Sequence, residues 1–140
     1  MLRTQLRNVK GRSARRGFVD DLGEFFRFDL GEVFAPDFNL GTFNGASCDT
    51  GLASKLEAIC ALATDYTHVL NGRFKGGHIT RHYGDPANNI HAVQLELVQS
   101  TYMEEFEPFK YREDLAQPTQ KVLKNLLQTL IDWGQKRYPG

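Results

Sequence analysis

The chain has 140 residues, 41% of them hydrophobic and 24% charged, and its formal net charge is zero. That length and balance fit one soluble globular domain and exclude an intrinsically disordered chain. Zero net charge removes the general electrostatic case for nucleic acid, and no run of about 18 apolar residues exists to cross a membrane.

The two cysteines, Cys48 and Cys60, match no zinc or redox spacing. They fit a reducing, cytoplasmic setting in which free thiols pack as small apolar groups. Residues Met1 to Val19 carry six Lys/Arg and no acid, which suits a basic arm, a targeting peptide or a tail without structural role. From Phe18 to Phe34 the apolar residues Phe18, Leu22, Phe25, Phe26 and Leu30 recur at roughly helical spacing. Gly23 and Gly31 oppose that helix, each costing up to about 1 kcal/mol relative to alanine.

Pro36-Asp37 marks a boundary, and Phe38 to Thr42 alternates as a short strand does. The turn Asn44 to Asp49 then leads into a helix from about Thr50 to Ala63. Ser47 or Asp49 caps it, and Leu52, Leu56, Ile59, Cys60 and Ala63 form its apolar stripe. A strand near Tyr66 to Leu70 follows. Strand, helix and strand together predict a βαβ unit with parallel strands. His91 to Leu97 alternates as another strand, and Tyr102 to Arg112 reads as irregular. The last helix is expected over 117–134, with Pro118 in its first turn. Val122, Leu123, Leu126, Leu127, Leu130 and Ile131 give it a wide apolar face.

The chemistry concentrates between the second and third strands. Arg73, Lys75, His78, Arg81 and His82 are set among Gly72, Gly76, Gly77 and Gly84, and no acid interrupts them until Asp85. Glycine lets backbone approach a ligand, and arginine presents a planar fork that suits carboxylates. Such a loop grips a small anion; the bland alternative is a solvated basic surface. Glu96 stands out in the following strand, because burial would raise its pKa and make it a general base. The alternative is an outward polar residue, since Gln94 and Glu96 share a face. His78 and His82 are four apart, a metal spacing on a helix, but the glycines before them argue against a helix. His68 and His91 read as structural. Cys48 near a helix start is either a nucleophile or a packed thiol. The turn Gly41 to Gly45 lacks the Gly-Lys-Ser/Thr ending of a P-loop.

Three stretches, LGTFNGASCD (40–49), HVLNGRFKGGHITRHYG (68–84) and HAVQLELVQSTYM (91–103), resemble the C-terminal half of N-formylglutamate amidohydrolases. The resemblance runs from about Pro36 to Gly134. It implies an α/β fold: part of a mainly parallel sheet with flanking helices, from a phosphorylase/hydrolase-like (carboxypeptidase-like) amidohydrolase domain. It also implies a zinc-dependent hydrolase that releases formate and L-glutamate from N-formyl-L-glutamate in histidine degradation. In such enzymes zinc lowers the pKa of bound water to about 7. The resemblance assigns Glu96 to water activation, and Arg73 and Arg81 to the carboxylates of a small dianionic N-acyl amino acid, with Asn71 and Lys75 nearby.

The zinc ligands of that family, two histidines and an acid, belong to motifs upstream of LGT, and Met1 to Phe34 contains no histidine. Residues 1–35 are therefore expected to lie outside the family pattern and 36–140 within it, with no metal ligand in this chain. Little activity is expected of the chain alone. A non-catalytic remnant, or a module that binds small dicarboxylates, is the alternative. Self-association or a complementing N-terminal half are the expected partners.

Overall fold

The computed structural model describes residues 35–139. Their elements run β1 (Phe38–Gly41), α1 (Thr50–Leu62), β2 (His68–Leu70), α2 (His78–Tyr83), β3 (Gln94–Leu97) and α3 (Glu113–Arg137). The amphipathic pattern at 18–34, the basic stretch before it and the boundary near 35 lie outside or at the edge of these residues.

The three strands form one sheet in the order β2-β1-β3. β1 and β2 are parallel, with Phe38 opposite His68 and Leu40 opposite Leu70, as the βαβ reading required. β3 is antiparallel to β1, with Phe38 opposite Leu97 and Gly41 opposite Gln94. The sheet is thus mixed, and the expectation of a mainly parallel one is corrected. A parallel pair needs a long crossover, which α1 supplies between β1 and β2. Between β2 and β3 the only α-helix is the six-residue α2. The chain therefore reaches β3 at the end where β1 stops, and runs back along it.

Strand alternation gives the sheet two unlike faces. Phe38, Leu40, Leu70, Leu95 and Leu97 point to one side, where α1 and α3 cover them with Leu52, Leu56, Cys60, Val122 and Leu126. Phe38 is fully buried and meets the Tyr66 ring edge-on at 5.0 Å. Asp49 caps α1, its carboxylate accepting the Leu52 N–H at 3.0 Å. Ser47 instead donates its hydroxyl to the Ala92 carbonyl at 2.7 Å, while Ala92 N–H bonds the Ser47 carbonyl at 2.8 Å. Those reciprocal bonds hold the approach to β3 against the start of α1.

α3 begins at Glu113, before the expected 117, so Pro118 falls in its second turn. Glu113 and Asp114 explain the earlier start, since acids favour the positive end of a helix dipole. Pro118 lacks the N–H that would reach the Asp114 carbonyl, and its exposed position near the helix start makes this tolerable. The apolar face of α3 is only partly used. Val122 and Leu126 are buried, but Leu127 and Ile131 are 59% and 53% exposed. Residues 102–112 are irregular, as expected, and an isolated bridge between Met103 and Tyr111 closes them into a loop. Among the described residues no helix is long and apolar enough to cross a membrane.

Candidate active site

The second face of the sheet is polar. Gln94 and Glu96 point away from the helices, beside Gly41 and Asn39 of β1. Asn39 is 3% exposed because the segment after β2 folds over it. Its Nδ2 donates to the Phe74 carbonyl at 2.5 Å, and its Oδ1 accepts the Phe74 N–H at 3.4 Å. Gly41 has no room for a side chain, since a Cβ there would sit 2.7 Å from the Gly76 nitrogen. The Phe43 N–H completes the contact by bonding the Lys75 carbonyl at 2.5 Å. The glycine-rich loop is therefore laid across the polar face rather than projecting from it.

Gln94 links this loop to the glutamate. Its Oε1 accepts the Gly77 N–H at 2.5 Å, and its Nε2 donates to the Glu96 carboxylate. Glu96 is half-buried there. Burial of a carboxylate is tolerable when donors point at it, and Gln94 is one.

The loop starts at Asn71, which holds the left-handed conformation at φ 52°. Its Oδ1 accepts the N–H of Thr42 at 2.8 Å and of Asn44 at 3.2 Å, and its Nδ2 donates to the Thr42 hydroxyl at 2.8 Å. The structure thus sets the Asn71 amide on the turn after β1. Arg73, Lys75 and Arg81 are exposed on the loop and on α2, and the Arg81 Nε donates to the Gly77 carbonyl at 3.3 Å.

The segment after the glycines is helical, against the sequence expectation. Gly77 leads into α2, and the buried Thr80 folds its hydroxyl back onto the Gly77 carbonyl at 3.0 Å. Arg81 and His82 close the helix at the negative end of its dipole. His78 and His82 consequently share a face, with rings stacked at a 4.9 Å centroid distance. Among the described residues no three His, Cys, Asp or Glu side chains are grouped to hold a metal ion.

His91 is structural. Its Nδ1 accepts the Asp49 N–H at 3.1 Å, and its Nε2 lies 2.9 Å from the Tyr138 hydroxyl, which donates on to Asn89 at 3.0 Å. Because Nδ1 accepts, Nε2 carries the proton. Cys48 is buried, and burial, helped by the Asp49 charge, pushes its thiol up to about 11, which favours the packed thiol over the nucleophile. Sequence reasoning missed Asn39, although a polar residue at an inner-strand position between Phe38 and Leu40 was the available signal.

A family model described as N-formylglutamate amidohydrolase matches residues 23–103. Two proteins named N-formylglutamate deformylase are similar over 103 residues. The one from Pseudomonas putida is 79% identical and the one from Pseudomonas aeruginosa 65%. Each match covers 74% of this chain and 39% of the relative, so the chain spans about two fifths of their length. The crystal structure of N-formylglutamate amidohydrolase from Ralstonia eutropha JMP134 aligns with a TM-score of 0.65 at 24% identity, over 76% of this chain and 37% of that one. At that identity the likeness concerns the fold.

Proposed function

The chain belongs to the N-formylglutamate amidohydrolase family, and from that membership we propose that it carries the carboxylate-binding and proton-handling part of a site that hydrolyses N-formyl-L-glutamate to formate and L-glutamate. The observation that carries the reading is the Gln94 bridge, which ties the cationic loop at Gly77 to the Glu96 carboxylate on one face of the sheet. The names of the two deformylases supply the substrate.

In this reading the two substrate carboxylates are held by Arg73 and Arg81, with Lys75 adding charge. Guanidinium forks pair with carboxylates bidentately, which fixes orientation as well as charge. Asn71 acts one step back, by setting the loop on the Thr42 turn. Glu96 takes a proton from the attacking water and passes it to the amide nitrogen as the C–N bond breaks, so that formate and a free amine leave. Half-burial and the Gln94 N–H keep that carboxylate in place.

Zinc belongs to the proposed whole reaction, and the described residues contribute no three-donor set for it. The 140-residue chain alone is therefore expected to show little or no turnover. The carboxypeptidase-like placement of the fold, a role in histidine degradation and a reducing cytoplasmic location for the free Cys48 and Cys60 complete the proposal.

The test is a kinetic split in a full-length relative altered at the positions aligned with Arg73 and Arg81. A hydrogen bond to a charged group contributes about 1.5–3 kcal/mol. Arg73→Ala should therefore lower kcat/KM for N-formyl-L-glutamate at least tenfold, and less for an N-formyl amino acid without the side-chain carboxylate. Unchanged kcat/KM on both substrates would sink the assignment. Binding that survives in the isolated chain without formate release would favour the dicarboxylate-binding module.

A further inference from the structure

The chain has four histidines, and the structure separates them. His91 has both ring nitrogens engaged, Nδ1 by the Asp49 N–H and Nε2 by the Tyr138 hydroxyl. His68 is half-buried at the start of β2, in register with Phe38. His78 and His82 are both exposed and stand one turn apart on α2. Their rings lie 4.9 Å apart, with planes inclined by only 16°. Side chains four residues apart share a helix face, so the two imidazoles project together.

We propose that His78 and His82 form a two-imidazole chelating site for a divalent transition metal. Imidazole suits Zn²⁺, Ni²⁺ and Cu²⁺, which sets the class. With metal–nitrogen bonds of about 2.0–2.1 Å, the two nitrogens must come within roughly 3 Å of each other. Rings one turn apart on a helix face can turn about their own side-chain bonds towards a shared ion, although Tyr83 stands edge-on to His78 at 6.1 Å and to His82 at 4.7 Å. Water fills the remaining positions. The cationic neighbours Arg81 and Lys75 repel a metal ion and hold the affinity down, although the Arg81 Nε is already turned to the Gly77 carbonyl. Chelation also clamps a helix only six residues long, anchored by the buried Thr80. The site is independent of the proposed hydrolysis: it uses neither Glu96 nor the carboxylate-binding arginines, and it needs no turnover to be seen.

The untagged 140-residue chain would be titrated with ZnCl₂, and separately with NiCl₂, by calorimetry at neutral pH. One site is expected. His78→Ala and His82→Ala should each weaken binding at least tenfold, while His68→Ala leaves it within twofold. No binding by the parent chain up to millimolar metal would overturn the proposal, and so would either alanine variant keeping the parent affinity. A second readout does not depend on the variants. Paramagnetic Ni²⁺ should broaden the ring protons of His78 and His82 in the parent chain and spare those of His91, and broadening centred on His91 or His68 would equally refute the site.

Discussion

Glu96 lies directly opposite Asn39 across two strands, and the two side chains define what the polar face can do. Glu96 was visible in the sequence, because QLEL alternates and an acid between leucines is unusual enough to notice. Its half-burial was not, since that depends on the distant segment from Phe74 to Gly77 being laid over the same face of the sheet. Asn71 shows the same limit. The sequence places it beside the arginines, but only the structure shows its amide meeting Thr42 and Asn44. Each neutral hydrogen bond contributes about 0.5–1.5 kcal/mol, and asparagine tolerates positive φ better than most residues. Asn71→Ala should therefore destabilise the chain by about 2 kcal/mol, read as a lowered urea midpoint. A midpoint unchanged within error would show that the loop does not depend on this amide.

The two buried thiols make a prediction with a definite sign. Cys48 and Cys60 are each pushed up to about 11 from 9.0, chiefly by burial, with Asp49 and Glu57 adding to it. The unfolded chain releases those protons near pH 9, while the folded one holds them to about 11. Their contribution is fully present below pH 9 and is lost as pH rises towards 11. Urea midpoints should fall over that window, and Cys60→Ala should fall less steeply than the parent. Equal slopes would contradict the account.

At the scale of elements, periodicity served well where one face is buried and poorly where glycine stands next to helix. α1 was legible because its apolar stripe and capping aspartate both agree with a helix. Asp49→Ala should cost about 1 kcal/mol, the usual value of such a cap, measured by denaturation. No loss would mean that the Leu52 N–H finds another acceptor. α2 was missed because Gly76 and Gly77 argue locally against a helix, whereas the buried Thr80 anchors it through its hydroxyl on the Gly77 carbonyl. The direction of β3 was missed for a topological reason. Alternation fixes which residues face the core, but it is silent about which end of the neighbouring strand the chain returns to.

At the scale of the whole molecule, the chain spans about two fifths of the relatives it matches. The motifs at 40–49, 68–84 and 91–103 made the family legible because each sits where backbone and side chains are constrained together. The described surface keeps Leu62, Leu127 and Ile131 exposed at 81%, 59% and 53%, and among the described residues β2 and β3 are the edge strands of the sheet. Exposed apolar patches and strand edges both favour association. Light scattering should therefore give a mass above the 15.9 kDa of one chain that rises with concentration. A constant monomer mass would contradict this.

We propose that the polar face built around Glu96 handles the proton in amide hydrolysis. The most direct test is formate release by a full-length relative carrying Gln at the position aligned with Glu96. A lost general acid–base should lower kcat by about 10²–10⁴, with metal content and KM little changed. A variant that releases formate at the parent rate would contradict the account.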